Sequence, residues 1–208
     1  MSVRLYWQSI LIDVNHRMGK LMAQAAARFR AAAIEAFAER GYGATSTRDI
    51  ANRLGLSTAA MYPHYKSKES LLYAISLDGH QSALHELERT DQPQIAPPDR
   101  LRLVVSAFTC WQANNSALAR VLQYEIRSLT PEHYKDVATL RRATSAVIGT
   151  IIEAGSISGD FTVTDTDGAL LAISSLCVDV CRWFPSRTHS DPDLLGELYA
   201  DIALRIVT

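Results

Sequence analysis

Apolar residues recur at three- and four-residue intervals along almost the whole chain, and no run alternates as a strand would. Over residues 26–40 that spacing puts Phe29, Ala33, Ala36 and Phe37 on one face, with Arg28, Glu35, Glu39 and Arg40 outside it. Gly41 then ends the helix as a left-handed C-terminal residue does. Residues 47–54 predict a short helix with Ile50, Ala51 and Leu54 as its buried stripe. Ser46 is its N-cap, and Asp49 makes an approximate capping box. Gly55 makes a turn, Leu56 fills the gap between helices, and Ser57 caps a second short helix over residues 58–64. Ser67 opens a longer helix that the pattern carries to Glu88.

The stretch TDQPQIAPPD, residues 90–99, holds three of the seven prolines and reads as a linker. Helices are expected over residues 100–114, 116–129 and 131–154, and EAGSISGDF (153–161) reads as a loop. Asp165 caps a helix that runs to Phe184, and Asp191 caps the last one. The pattern therefore predicts an all-α chain of about nine helices. Residues 1–23 form an N-terminal extension, 24–75 a helix-turn-helix domain with a connecting fourth helix, and 76–208 a larger helical domain.

At 208 residues, 48% hydrophobic and 21% charged, the chain has ample material for a core. The net charge of −1 hides a split: residues 1–75 carry ten Lys/Arg against five Asp/Glu (+5), and the rest eleven against seventeen (−6). A basic module joined to an acidic one fits a DNA reader attached to a control domain. Cys177 and Cys181 sit four apart on one helix and Cys110 is alone, so a reduced cytosolic chain is expected rather than a disulfide framework. The first residues lack a signal-peptide core, and no segment is apolar enough to span a membrane; a soluble, cytoplasmic protein is expected.

The segment ATSTRDIANRLGLSTAAMYPHYKSKESLLYAI, residues 44–75, orders two short helices, a tight turn and a lysine-flanked start to a third helix. That order can place one helix in a major groove and anchor its flanks on phosphates. Thr58, Ala59 and Ala60 are short enough to approach base edges, where a methyl group can meet a thymine methyl. Tyr62 and His64 are placed to reach phosphate oxygens, although Tyr62 reads equally well as core and Tyr65 better so. Lys66 and Lys68 add positive charge where a helix N-terminus already favours an anion. Thr45, Thr47 and Arg48 are the matching anchors at the start of the first short helix. Arg4, Arg17 and Lys20 could form an arm on the DNA or belong to a tail. Pro63 lacks an N–H and disfavours a helical Tyr62, which closes the second short helix early.

The run FAERGYGATSTRDIANRLGLSTAAMYPHYKSKESLL resembles the DNA-binding domain of the TetR family of transcriptional regulators. The likeness rests on Phe37, Gly41, Tyr42, Thr45, Thr47–Ala51, Gly55, Met61–Tyr62, His64–Tyr65, Lys68–Glu69 and Leu71–Leu72. It implies a homodimeric repressor that reads a palindromic double-stranded operator and is released by a small-molecule effector. It also implies that Thr47, Arg48, Thr58, Ala59, Ala60, Tyr62, His64 and Lys68 face DNA.

For the dimer, the last two helices carry more apolar surface than one buried stripe requires: Leu170, Ile173, Leu176, Val180 and Trp183, then Leu194, Leu195, Leu198, Ile202 and Ile206. For the effector, Trp111, Gln112, Tyr124, Arg127, Tyr134, Arg141 and Trp183 are the candidate contacts, although each aromatic reads at least as well as core. Their mix suits a largely hydrophobic ligand. The runs LQYEIRSL and VDVCRWFP are similar to a branch responding to acyl-CoA thioesters, in which Arg127, Arg141 or Arg182 would meet phosphate or carboxylate groups.

No metal site or cofactor is expected. The six histidines have no zinc-type spacing, and there is no P-loop, dinucleotide or nucleophile-elbow pattern. Catalysis is thereby disfavoured. The remaining alternative is a helical interaction protein that has lost DNA binding, which Pro63 alone supports.

Overall fold

The computed structural model describes the backbone over residues 3–208 and the side chains over residues 18–208. Among these are eight α-helices, two 3-10 turns and no strand. The helices are α1 (Val3–Arg40), α2 (Thr47–Arg53), α3 (Lys68–Thr90), α4 (Pro97–Asn114), α5 (Ser116–Tyr124), α6 (Pro131–Ser158), α7 (Thr166–Trp183) and α8 (Pro192–Val207). The 3-10 turns are Thr58–Ala60 and Ile126–Ser128. The chain divides into two compact units, Met1–Ala74 and Ile75–Thr208.

In the first unit, Phe29, Ala33, Ala36 and Phe37 of α1 pack with Ile50 and Ala51 of α2, Met61, Tyr65 and Leu71–Leu72 of α3 into one buried core. Leu56 is not the expected plug. It is 37% exposed, and Met61, fully buried, does that work. The ninth helix is absent because residues 58–64 do not form one: Thr58–Ala60 is a single 3-10 turn, followed by a turn over 61–64. Pro63 has no N–H to return to Ala59, so the chain falls back on three-residue bonds, from Ala60 N–H to Ser57 O and from His64 N–H to Met61 O. Ser57 contributes its carbonyl to this turn but makes no side-chain cap.

The second unit is organised around α4, which packs most extensively on α8 and also on α6 and α7. Leu101, Val104, Val105 and Phe108 of α4 meet Ile148, Ile151 and Ile152 of α6, Ile173 and Cys177 of α7, and Ala203 and Val207 of α8. Prolines open α4, α6 and α8, where the missing N–H would have had no intrahelical partner. Asp165 and Asp191 cap α7 and α8 through their carboxylates. The expected loop at 153–161 is helical as far as Ser158, and Gly159 ends α6 with a φ of 81°. Burial pushes the Cys177 thiol up to about 12, so it is a packing group rather than a nucleophile.

Candidate DNA-reading and effector sites

The turn between α2 and the 3-10 turn is fixed by local bonds. Ser46 and Asp49 form a reciprocal capping box: Asp49 N–H donates to Ser46 Oγ at 3.2 Å, and Ser46 N–H donates to Asp49 Oδ2 at 2.8 Å. Hydrogen bonds from the Ser46 side chain and backbone hold the Asp49 carboxyl below its ordinary value. At the other end, Leu56 N–H reaches Ala51 O and Gly55 N–H reaches Asn52 O, a Schellman closure that needs the left-handed φ of 67° at Gly55. Beyond the turn, Ser67 Oγ accepts the Ser70 N–H at 3.0 Å and caps α3.

This frame leaves Arg48, Ala59, Tyr62 and Lys66 exposed, with Thr47, Thr58, Ala60 and His64 half-buried beside them. Tyr62 is 54% exposed and therefore not core. His64 lies against Phe29, ring centroids 6.0 Å apart. Tyr65 is buried, its hydroxyl donating to Ala26 O and accepting from Arg30.

Two predicted anchors are turned inward. Thr45 is 1% exposed, and its hydroxyl donates to Gly41 O at 2.8 Å and Ala36 O at 3.2 Å, so its side chain closes the α1–α2 loop. Lys68 Nζ donates to Tyr42 O and Thr45 O, both at 2.8 Å, and stands 4.0 Å from the Tyr42 ring centroid. Its ammonium thus pins that same loop, which leaves one of its three protons for anything else. Of the arm cations, the side chains of Arg4 and Arg17 lie outside the described residues, and Lys20 is exposed.

In the second unit, residues of α3 to α7 line a partly open cavity. Trp111, Gln112 and Arg141 line it as expected. The other four candidates do not. Tyr124 and Tyr134 are exposed at the end of α5 and the start of α6, and Arg127 is exposed on the second 3-10 turn. Trp183 packs beside Phe184 and His189 at the end of α7. Arg182 is paired with Asp179 on the surface. Two wall residues are not among the candidates: His80, on a helix that the sequence marks only as a connector, and Ser174 of α7, a small side chain with no signal of its own.

His80 gives the second unit a pH dependence. Burial, and then the nearby Arg141 charge, push its imidazole from 6.5 down to about 4. Between those values the unfolded chain takes up a proton that the native state refuses, so stability is full above pH 6.5 and falls as pH drops towards 4. At pH 5 the loss from this group is about 2 kcal/mol relative to pH 7. In urea melts at the two pH values, His80→Gln should lose correspondingly less; equal losses in both proteins would assign the effect elsewhere.

The expected dimer face divides between core and surface. Ile173, Val180 and Leu195 are buried at 1% exposure or less, so they belong to the protomer's own core. Leu170 and Ile202 are half-buried, with Leu170 packed on that core. Leu194 (70% exposed), Leu198 (41%) and Leu176 (38%) remain outside, joined by Leu171, which the sequence reading passed over. Among the described residues no helix is long and apolar enough to cross a membrane.

Comparison with known proteins agrees with this layout. Residues 29–75 match the bacterial regulatory proteins of the tetR family, and residues 94–207 match the tetracyclin repressor-like C-terminal domain. The crystal structure of a bacterial regulatory protein in the tetR family from Rhodococcus RHA1 superimposes with a TM-score of 0.85 at 57% identity, covering 88% of this chain and 96% of that one. The HTH-type transcriptional repressor KstR2 of Rhodococcus jostii is 27% identical over 173 residues, 81% of this chain and 83% of its own. The fatty acid metabolism regulator protein of Bacillus subtilis is 25% identical over 129 residues, 62% of this chain and 66% of its own. With both units matched over most of their length, the chain belongs to the TetR family of transcriptional regulators, as a DNA-binding protein that responds to a ligand.

Proposed function

We propose that the protein is a homodimeric repressor of a palindromic operator, released when a small, largely hydrophobic effector enters the α3–α7 cavity. The observation that carries the DNA-reading part is the uncovered face of Thr47, Arg48, Thr58, Ala59, Ala60, Tyr62, His64 and Lys66 on a frame held from behind by Thr45 and Lys68. Thr58 and the alanines can offer a base edge little beyond methyl contact, so part of the selectivity comes from DNA shape and half-site spacing. Two half-sites about one helical turn apart require a two-fold protein. An effector then acts only by binding one spacing of the two heads better than the other. The cavity's largely apolar wall supports a hydrophobic effector, and the fatty acid metabolism regulator among the relatives supports an acyl type, as an acid or a coenzyme A thioester.

Fluorescence polarisation on DNA flanking the protein's own gene tests this reading. Binding is expected to be sequence-selective and to weaken steeply with salt. Arg48→Ala should weaken binding to all sequences about equally and reduce the salt slope by about 1, since a phosphate contact carries no base information. Absence of selective binding would leave the helical interaction protein as the better reading.

A further inference from the structure

We propose that the α3–α7 cavity is built for an organic anion, a carboxylate head set against Arg141, His80 and Ser174 with a compact apolar body against Phe108, Trp111, Leu122 and Val178. This deepens the reading of the cavity as the effector site and rests on it.

The wall is mostly carbon, with a few polar groups set into it. Some are already occupied: Trp111 Nε1 donates to Ser82 Oγ at 3.3 Å, and Thr144 Oγ1 donates to Leu140 O at 3.0 Å. Three others keep donors to spare. Among the described residues, His80 Nε2 and Ser174 Oγ are buried without any hydrogen-bond partner. Arg141 has no carboxylate partner among the described residues, and its one side-chain bond goes to the neutral Gln123 Oε1 at 3.3 Å. Among the described residues no Asp or Glu lines the cavity. A guanidinium does not give up its proton, so half-buried Arg141 keeps a charge that an anion entering the cavity would balance as water leaves.

His80, Arg141 and Ser174 come from three different helices, α3, α6 and α7, and line one cavity. Each can donate a hydrogen bond, and a carboxylate is acceptor-only, with about four lone-pair sites on two oxygens. It can take a forked pair from Arg141 and single bonds from His80 and Ser174. An amine would be repelled by Arg141. A hydrocarbon, alcohol or amide would leave the guanidinium unbalanced, and a coenzyme A thioester presents a neutral carbonyl at its acyl end, with its charge on the distant phosphates.

Calorimetric titration of the full chain without DNA, using octanoate, octanamide and octanoyl-coenzyme A, decides the question. Octanoate is expected to bind at least about tenfold more tightly than the other two. Arg141→Gln should abolish that preference, and Arg141→Lys should restore part of it. Amide or thioester binding as tight as the acid, no binding of the acid, or an unchanged preference in Arg141→Gln would each overturn the proposal. The comparison of head groups in the native chain stands even where a variant fails to fold. An acid that binds at this site yet leaves the operator complex intact would retain the anion site and sink the effector reading. Release by an uncharged hydrophobic molecule that outcompetes the acid would do the reverse.

Discussion

Leu198→Glu is expected to turn the dimer into a monomer and to weaken operator binding by about a hundredfold or more, the loss of a second linked binding event. The last two helices leave four leucines outside the protomer's core, Leu171 and Leu176 on α7 and Leu194 and Leu198 on α8. Leu194 and Leu198 are four residues apart and share one stripe of the helix. That exposed apolar stripe on α8 is the surface offered to a second copy. A carboxylate there would be buried without a partner in the dimer but solvated in the monomer. Since Leu198 is 41% exposed within the protomer, the variant should fold normally, with an unchanged circular dichroism spectrum. Leu195→Glu is the contrast: at 1% exposure it should unfold the second unit rather than separate two folded copies. A dimer of unchanged mass by sedimentation in Leu198→Glu would move the interface away from α8.

The same leucines mark where sequence reading ran out. An apolar surplus on α7 and α8 is visible in the chain, but its division between the protomer's own core and a second copy is not. Ile173, Val180 and Leu195 looked equivalent to Leu176 and Leu194 until α4 and α6 took up their share of the surface. What could be read were features set by local rules. Ser46 with Asp49, the left-handed Gly41 and Gly55, and the caps Asp165 and Asp191 each depend on neighbours within a few residues. Thr45 and Lys68 are the opposite case. Both belong to a sequence pattern that resembles a DNA-contacting one, yet their hydrogen bonds run to the α1–α2 loop, and Lys68 reaches back 26 residues to Tyr42. Pro63 gave warning of an early end to its helix, but whether one turn or two would survive depended on where Met61 was buried. In the cavity, periodicity gives the faces of each helix without their rotation in a bundle. Trp111 and Arg141 therefore came out inside, while Tyr124 and Tyr134 came out exposed.

Asp91→Ala is expected to destabilise the second unit by about 3 kcal/mol, because it strands a buried cation. Arg100, the fourth residue of α4, is 9% exposed, and its Nε and one terminal nitrogen each donate to the Asp91 carboxylate at 2.8 Å. Asp91 directly follows α3, with its N–H on Leu87 O, so this forked pair ties the end of α3 to the start of α4 across the proline-rich linker. The hydrogen bonds that Arg100 donates to Asp91, opposed by desolvation, hold its guanidinium above its ordinary value. Without the carboxylate, Arg100 can neither discharge nor easily reach water. For a chain of this size the effect corresponds to a fall of about 6 °C or more in Tm. The double variant Asp91→Ala with Arg100→Met should recover most of that loss, since an apolar side chain of similar length fills the space without a charge to balance. Thermal melts of the native chain, the single and the double variant test both halves of the argument. A single variant as stable as the native chain would show that the pair is solvated, and a double variant no better than the single would show that packing, not the stranded charge, carries the loss.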